Sequence, residues 1–279
     1  MAQRTLTEEI MLQYQLHLAN EEKSAATIDK YLRDARRFAA FLGGRAIARE
    51  AVMEYKGRLL EQGYKAGSIN SMLSSVNSLL TYLGRGDCRV KNIKIQRQIY
   101  TAGDRELKKA EYLRLVEASR ARPRLCLLLQ TICGTGIRVS ELKYFTVESV
   151  RQGAVTVSCK NKTRVILIPG KLRKLLLAFS RKQGIRCGVI FRAKSGKPLN
   201  RSRIWAEMKR ICGKAGVKAS KVFPHNLRKL FARTFYGMGK DIVKLADILG
   251  HSSINTTRIY VMTTEMEHKR LIERLQLVI

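Results

Sequence analysis

The sequence predicts a mainly helical protein of two domains that carries one small antiparallel β-hairpin, an α+β arrangement. Three observations predict it. Apolar residues recur at helical spacing through most of the chain. Residues 84–104 break that pattern with Gly84, Gly86 and Gly103 in a stretch rich in Lys, Arg and Gln, the composition of a link between domains. β-branched residues gather in two short runs, Ala154–Ser158 and Arg164–Ile168, on either side of the polar turn Lys160-Asn161-Lys162.

Taken in order, Ile10, Tyr14 and Leu18 mark a first helix. Ile28, Tyr31, Leu32, Ala35, Phe38, Ala39 and Leu42 mark a second, ended by Gly43-Gly44. Val52, Tyr55, Leu59 and Leu60 mark a third. Ile69, Met72, Leu73, Val76, Leu79, Leu80 and Leu83 mark a fourth, stopped by Gly84 and Gly86. Joined by short loops, these make a helical bundle over residues 1–88. Residues 89–104 link it to a mixed domain over 105–279. There the periodicity predicts helices near 107–119, 124–134, 139–145, 171–183, 201–215, 226–237, 241–249 and 265–276, with the hairpin between the third and fourth. Trp205 is expected in the core beside Ile204, Met208 and Ile211.

Charge restricts the partner. Lys and Arg number 54 against 22 Asp and Glu, a formal net charge of +32. Residues 1–100 hold 16 basic and 10 acidic residues, and residues 101–279 hold 38 and 12. A surplus of this size repels itself and implies a polyanion, with nucleic acid ahead of an anionic membrane surface. No basic amphipathic anchor with an aromatic face stands out, and no run of apolar residues is long enough to span a bilayer. The first residues lack the apolar core of a secretory signal, so the expected location is the cytoplasm. The six cysteines form no Cys-x-x-Cys pair and no zinc-ligand spacing with His, so neither a disulfide nor a metal is expected. No P-loop occurs, and no cofactor is implied.

Cutting a DNA strand without metal or nucleotide needs an oxygen nucleophile, cations around the phosphate oxygens and an acid for the departing 5′ oxygen. The second domain offers such groups. Gly134-Thr-Gly-Ile-Arg138-Val-Ser-Glu141-Leu142 places an arginine between a glycine-broken helix end and the next helix, with Glu141 one turn on to orient it. Pro224-His225-Asn-Leu-Arg228 opens a helix and sets His225 and Arg228 on one face. Leu249-Gly250-His251 ends a helix, and Tyr260 follows nine residues later.

These boxes, in this order and spacing, closely resemble the signature boxes of the tyrosine recombinases, the family of the Xer recombinases, Cre and phage integrases. The resemblance covers residues 105–265, and the first domain is similar to the family's SAM-like core-binding domain. It implies a site-specific recombinase that cuts and rejoins duplex DNA through a 3′-phosphotyrosyl link, for integration or excision of a mobile element or for resolution of DNA. By resemblance Tyr260 is the nucleophile, Arg138 and Arg228 clamp the phosphate, His251 bonds it, and His225 is a donor and possible proton acceptor. Glu141 braces Arg138. Lys160 stands where the family keeps the lysine that protonates the leaving group. The turn is one residue shorter than the common form, which leaves Lys162 as a rival. Lys229 replaces a frequent histidine that is not itself a phosphate ligand. Lys162 and Arg164 otherwise read as backbone contacts or solvent-facing residues.

The implied partners are double-stranded DNA and further copies of the chain, a tetramer on two sites, with accessory proteins possible. The apolar end Leu271, Ile272, Leu275, Leu277, Val278 and Ile279 is expected to dock on a neighbouring copy, the plainer alternative being its own core. Two other classes fit the charge: a type IB topoisomerase, and a DNA-binding protein without catalysis. The second would not require Arg138, Lys160, His225, Arg228, His251 and Tyr260 together. The short lead before residue 6 speaks against a separate arm-site DNA-binding domain.

Overall fold

Helix ends in this chain are set by side chains that satisfy the first free N–H groups and by residues that leave the helical conformation. In the computed structural model, which describes residues 6–96, 105–159, 162–193, 195–262 and 269, Thr7 caps α1 (Glu8–Asn20) and Ser24 caps α2 (Ala25–Leu42). α3 (Arg49–Glu61) and α4 (Ala66–Tyr82) follow. Tyr14, Leu18, Phe38, Val52, Leu59, Leu73, Val76, Leu79 and Leu80 fill the space between them and are almost wholly buried. Asp34 and Ser75 share this interior: Asp34 accepts from Lys30 at 2.7 Å and from Ser75 at 3.0 Å, so the buried carboxylate is paired.

The chain divides into two units, Met1–Arg97 and Gln98–Ile279. The residues just before the division do not float. Asn77 brackets the backbone of Val90, donating to its carbonyl at 3.0 Å and accepting its N–H at 3.2 Å. Asn70, two turns earlier on α4, does the same to Ile93 at 2.9 and 2.8 Å.

The second unit is built around α6 (Pro123–Thr135), whose Leu125, Leu128, Leu129 and Ile132 are buried. α5 (Lys109–Ala118) precedes it. A 3-10 turn (Val139–Tyr144) and α7 (Val147–Gln152) lead into the hairpin. β1 (Ala154–Cys159) pairs antiparallel with β2 (Lys162–Leu167), with Val157 opposite Arg164 and Val155 opposite Ile166. Side chains alternate across a sheet. Val155, Val157, Ile166 and Ile168 face the core, while Val165 and Leu167 are exposed. α8 (Gly170–Lys182), α9 (Arg201–Lys209), the short α10 (Cys212–Ala215), α11 (Pro224–Gly239), α12 (Ile242–Leu249) and α13 (Ile254–Val261) complete it. The architecture is the expected one, mainly helical with a two-stranded antiparallel sheet. No helix among the described residues is long and apolar enough to cross a membrane.

Three expectations change. The helix expected at 139–145 is a 3-10 turn. Cys159 pairs with Lys162, so Lys162 belongs to β2 and not to the turn. Trp205 is not core: it is 51% exposed, one residue beyond the buried Ile204 and so turned about 100° away from it. The Lys209 ammonium lies over its ring instead, 4.9 Å from the centroid. The helix expected at 265–276, apart from residue 269, and the apolar end lie outside the described residues.

Candidate active site

At the end of α6 the chain reverses through Gly136, whose φ of +65° favours glycine. A Cβ there would run into the ring of Phe231. This close approach delivers Arg138 to the start of the 3-10 turn. There the carboxylate of Glu141, 3% exposed, receives the Arg138 backbone N–H at 2.7 Å and Nη1 at 3.0 Å. Glu141 thus holds both the backbone and the side chain of Arg138. Gly136→Ala is expected to destabilise the chain by about 2 kcal/mol or more, through left-handed strain and overpacking together. Urea unfolding checks this, and an unchanged midpoint would contradict the tight turn.

α11 begins at Pro224, which needs no hydrogen-bond acceptor at that position. Arg228, one turn on, is 2% exposed. Its Nη1 donates to the Gly136 carbonyl, and its Nη2 donates to the Leu249 carbonyl at 2.7 Å and faces His251 Nε2 at 3.1 Å. Its buried Nε has no hydrogen-bond partner among the described residues. Burial, and then the charge of Arg138, hold its pKa down at about 10, so it remains a cation at neutral pH.

The C-terminus of α12 gathers the arginines. Carbonyls in a last helical turn lack intrahelical partners and form the negative end of the helix dipole. Here the Ile248, Leu249 and Gly250 carbonyls accept, respectively, from Arg164 at 2.5 Å, Arg228 at 2.7 Å and Arg138 at 3.1 Å. Gly250, at φ +63°, then turns the chain to His251.

His251 Nδ1 lies 2.9 Å from the hydroxyl of Thr257, a fully buried residue on α13. Because Arg228 can only donate, His251 Nε2 accepts from it, so Nδ1 carries the proton and donates to Thr257. Burial first, and then the charges of Arg228, Arg138 and Arg164, hold the His251 pKa down at about 4. His225 is also lowered, by burial and then by Lys229, Arg228 and Arg201. Both imidazoles are therefore neutral at neutral pH. The unfolded chain takes up a proton at His251 near pH 6.5, while the folded chain does so only near pH 4. Stability is therefore full above pH 6.5 and falls as the pH drops toward 4, with His225 acting in the same sense. The melting temperature should decline across that window, and His251→Gln should flatten part of the decline. An equally steep profile in the variant would contradict the assignment.

Tyr260 reaches this group from α13. It is 8% exposed, and its hydroxyl lies 3.5 Å from His225 Nδ1. Its ring centroid is 5.0 Å from those of both His225 and His251. The Arg228 guanidinium carbon lies 5.9 Å from the same ring. Arg138, Glu141, His225, Arg228, His251 and Tyr260 thus converge on one place. Lys160 lies outside the described residues, and for Lys162 the description is confined to its place in β2. Sequence reasoning missed Thr257, whose fixed interval of six residues from His251 was the available signal. It also misjudged Arg164, which is neither solvent-facing nor a lone surface charge: its side chain is 13% exposed and its Nη2 meets Glu141 at 2.5 Å.

Two family models match the chain. That of the phage integrase family covers residues 105–267, and that of the phage integrase N-terminal SAM-like domain covers residues 11–86. The tyrosine recombinase XerA of Pyrococcus furiosus is 30% identical over 287 aligned residues, spanning 99% of this chain and 97% of that protein. Among solved structures, the Tn1549 transposon integrase in complex with transposon right end DNA superposes with a TM-score of 0.74 at 16% identity, covering 97% of this chain and 99% of that one. A lambda integrase tetramer bound to a Holliday junction superposes with a TM-score of 0.71 at 18% identity, covering 92% and 78%.

Proposed function

This chain belongs to the phage integrase family of tyrosine recombinases, and from that premise we propose that it cuts and rejoins duplex DNA at specific sites through a 3′-phosphotyrosyl link to Tyr260. The observation that carries this reading is the Tyr260 phenol set against His225, His251 and Arg228, with Arg138 tied to the same turn.

Each group has a chemical task. The Tyr260 oxygen attacks the scissile phosphorus while the bond to the 5′ oxygen breaks in line with it. The phenol proton passes to His225, whose depressed pKa leaves its ring nitrogen free to accept it. Arg138, Arg228 and His251 bond the non-bridging oxygens, where negative charge builds up. For His251 this requires Nε2 to turn from acceptor to donor. The Thr257 hydroxyl allows it, since a hydroxyl can accept from Nδ1–H or donate to bare Nδ1. A lysine of the hairpin, Lys160 with Lys162 as the rival, protonates the departing 5′ oxygen. The ester keeps the energy of the broken bond, so a 5′-hydroxyl from a second strand can reverse the step without a cofactor.

DNA as partner agrees with the net charge of +32 and with the DNA complex of the transposon integrase. A tetramer on two sites, with residues 268–279 docked on a neighbouring copy, is the assembly proposed, and a tetramer is the form in which lambda integrase is bound to a Holliday junction. A cytoplasmic location goes with a DNA partner. The test is to incubate the chain with nicked suicide duplexes from a randomised library and to sequence what remains covalently attached. A protease-sensitive adduct at a consistent sequence supports site-specific recombination. Relaxation of plasmid DNA at no particular site would turn the reading toward a topoisomerase. Lys160→Ala is expected to lose cleavage and to regain it on a 5′-bridging phosphorothiolate, whose thiol leaves without an acid. Rescue at Lys162→Ala but not at Lys160→Ala would exchange the two assignments.

A further inference from the structure

Arg164 has no part in the chemistry described above, yet it holds the pieces that do. Resting on the reading of Tyr260 as nucleophile, we propose that Arg164 is a positioning residue for strand cleavage, fixing Arg138 and His251 on one phosphate through Glu141 and the end of α12.

The geometry is specific. Arg164 lies opposite Val157 in the hairpin, on the face that carries Val155, Ile166 and Ile168 into the core. One end of its guanidinium donates to Glu141 Oε2 at 2.5 Å and the other to the Ile248 carbonyl at 2.5 Å. The same carboxylate takes the backbone N–H and Nη1 of Arg138, so two arginines share one buried acid. The stem of Arg164 runs beneath Gly250, where a Cβ would lie 2.6 Å from its Cδ. The Gly250 carbonyl in turn holds Arg138, and the next residue is His251. A planar fork with two fixed directions suits this bridge, and a lysine, with a single ammonium, cannot span both acceptors. Without Arg164, Glu141 keeps a buried charge with only Arg138 to balance it, and the end of α12 loses its link to the hairpin. Arg138 would then be drawn toward the acid and away from the phosphate.

The test uses the full chain and a nicked suicide duplex bearing the site recovered from the wild-type adduct. Rates of adduct formation at saturating protein and DNA affinities are measured for the wild type, Arg164→Ala, Arg164→Lys, Glu141→Gln and the Arg164→Ala, Glu141→Gln pair. Arg164→Ala is expected to slow adduct formation by about 30-fold or more with DNA affinity changed less than about threefold, and Arg164→Lys to restore part of the rate. In the Glu141→Gln background the further loss should be under about threefold, because the two residues act as one unit. Losses at 141 and 164 that multiply, a wild-type rate in Arg164→Ala, or a rate that falls only in step with DNA affinity and melting temperature in both Arg164 variants would overturn the proposal. A wild-type chain that forms no adduct would instead sink the Tyr260 reading on which it rests.

Discussion

Tyr260→Phe forms no covalent adduct with a suicide duplex, yet binds that duplex as the wild type does. The expectation follows from what the substitution removes. The ring stays, and with it the packing on Ala232, Leu245 and Leu249. Only the hydroxyl goes, and with it the long contact to His225 at 3.5 Å and a weak one to Arg228. Stability should therefore move by less than about 1 kcal/mol, the usual net worth of one hydrogen bond. The chemistry has no substitute, since phenylalanine has no oxygen to attack phosphorus. Adduct formation should fall by at least about 10⁴-fold, as when the nucleophile of a covalent enzyme is deleted. Gel electrophoresis after denaturation reads the adduct, and a mobility shift reads binding. An adduct persisting in the variant would show that another residue attacks.

Arg228 is expected to give the second largest effect, and unlike Tyr260 it should affect both activity and stability. Its guanidinium ties the Gly136 turn, the Leu249 carbonyl and His251 together from a fully buried position. Alanine there leaves two carbonyls without a donor, at about 1–3 kcal/mol for each buried group left unpaired. Lysine restores the charge but cannot reach the same acceptors at once. For cleavage, alanine removes the cation that stabilises the charge on the phosphate oxygens, and lysine keeps the charge without the fork that places it, which should lower the rate by at least about 10²-fold in both. Single-turnover adduct formation and urea unfolding, measured on the same preparations, separate the two losses. An Arg228→Lys chain that cleaves at the wild-type rate would remove Arg228 from the phosphate clamp.

Most of the fold could be read from periodicity and from helix stops. Helices with three or more turns of apolar spacing, such as α2, α4 and α11, are found where the stripes place them, and Gly136 and Gly250 stop helices as glycines in the left-handed region do. α7 escaped because six residues carry too few turns for a stripe to emerge, and α13 because the polar run Asn255-Thr-Thr-Arg258 leaves it no apolar stripe, unlike the equally long α12. The site residues were legible because chemistry constrains their types and order. Arg164 was not, because its partners Glu141 and Ile248 lie 23 and 84 residues away, and only the folded chain brings them near. A signal did exist in the two-residue period of β2: Ile166 and Ile168 point inward, so Arg164 must as well. A charged residue on the inward face of a strand asks for a buried partner, and Glu141 is that partner.

The apolar residues around Tyr260 form a cluster of their own, separate from the one built on α6. Releasing α13 therefore disturbs the contacts of Tyr260, Thr257 and Val261 and leaves the interior of the domain whole. Segments bounded in this way open far more often than a domain unfolds. Readiness to react and resistance to denaturation are thus governed by different sets of residues. Substitutions that tighten or loosen the seat of α13 can set how often the phenol is presented, while the melting point of the enzyme stays where it was.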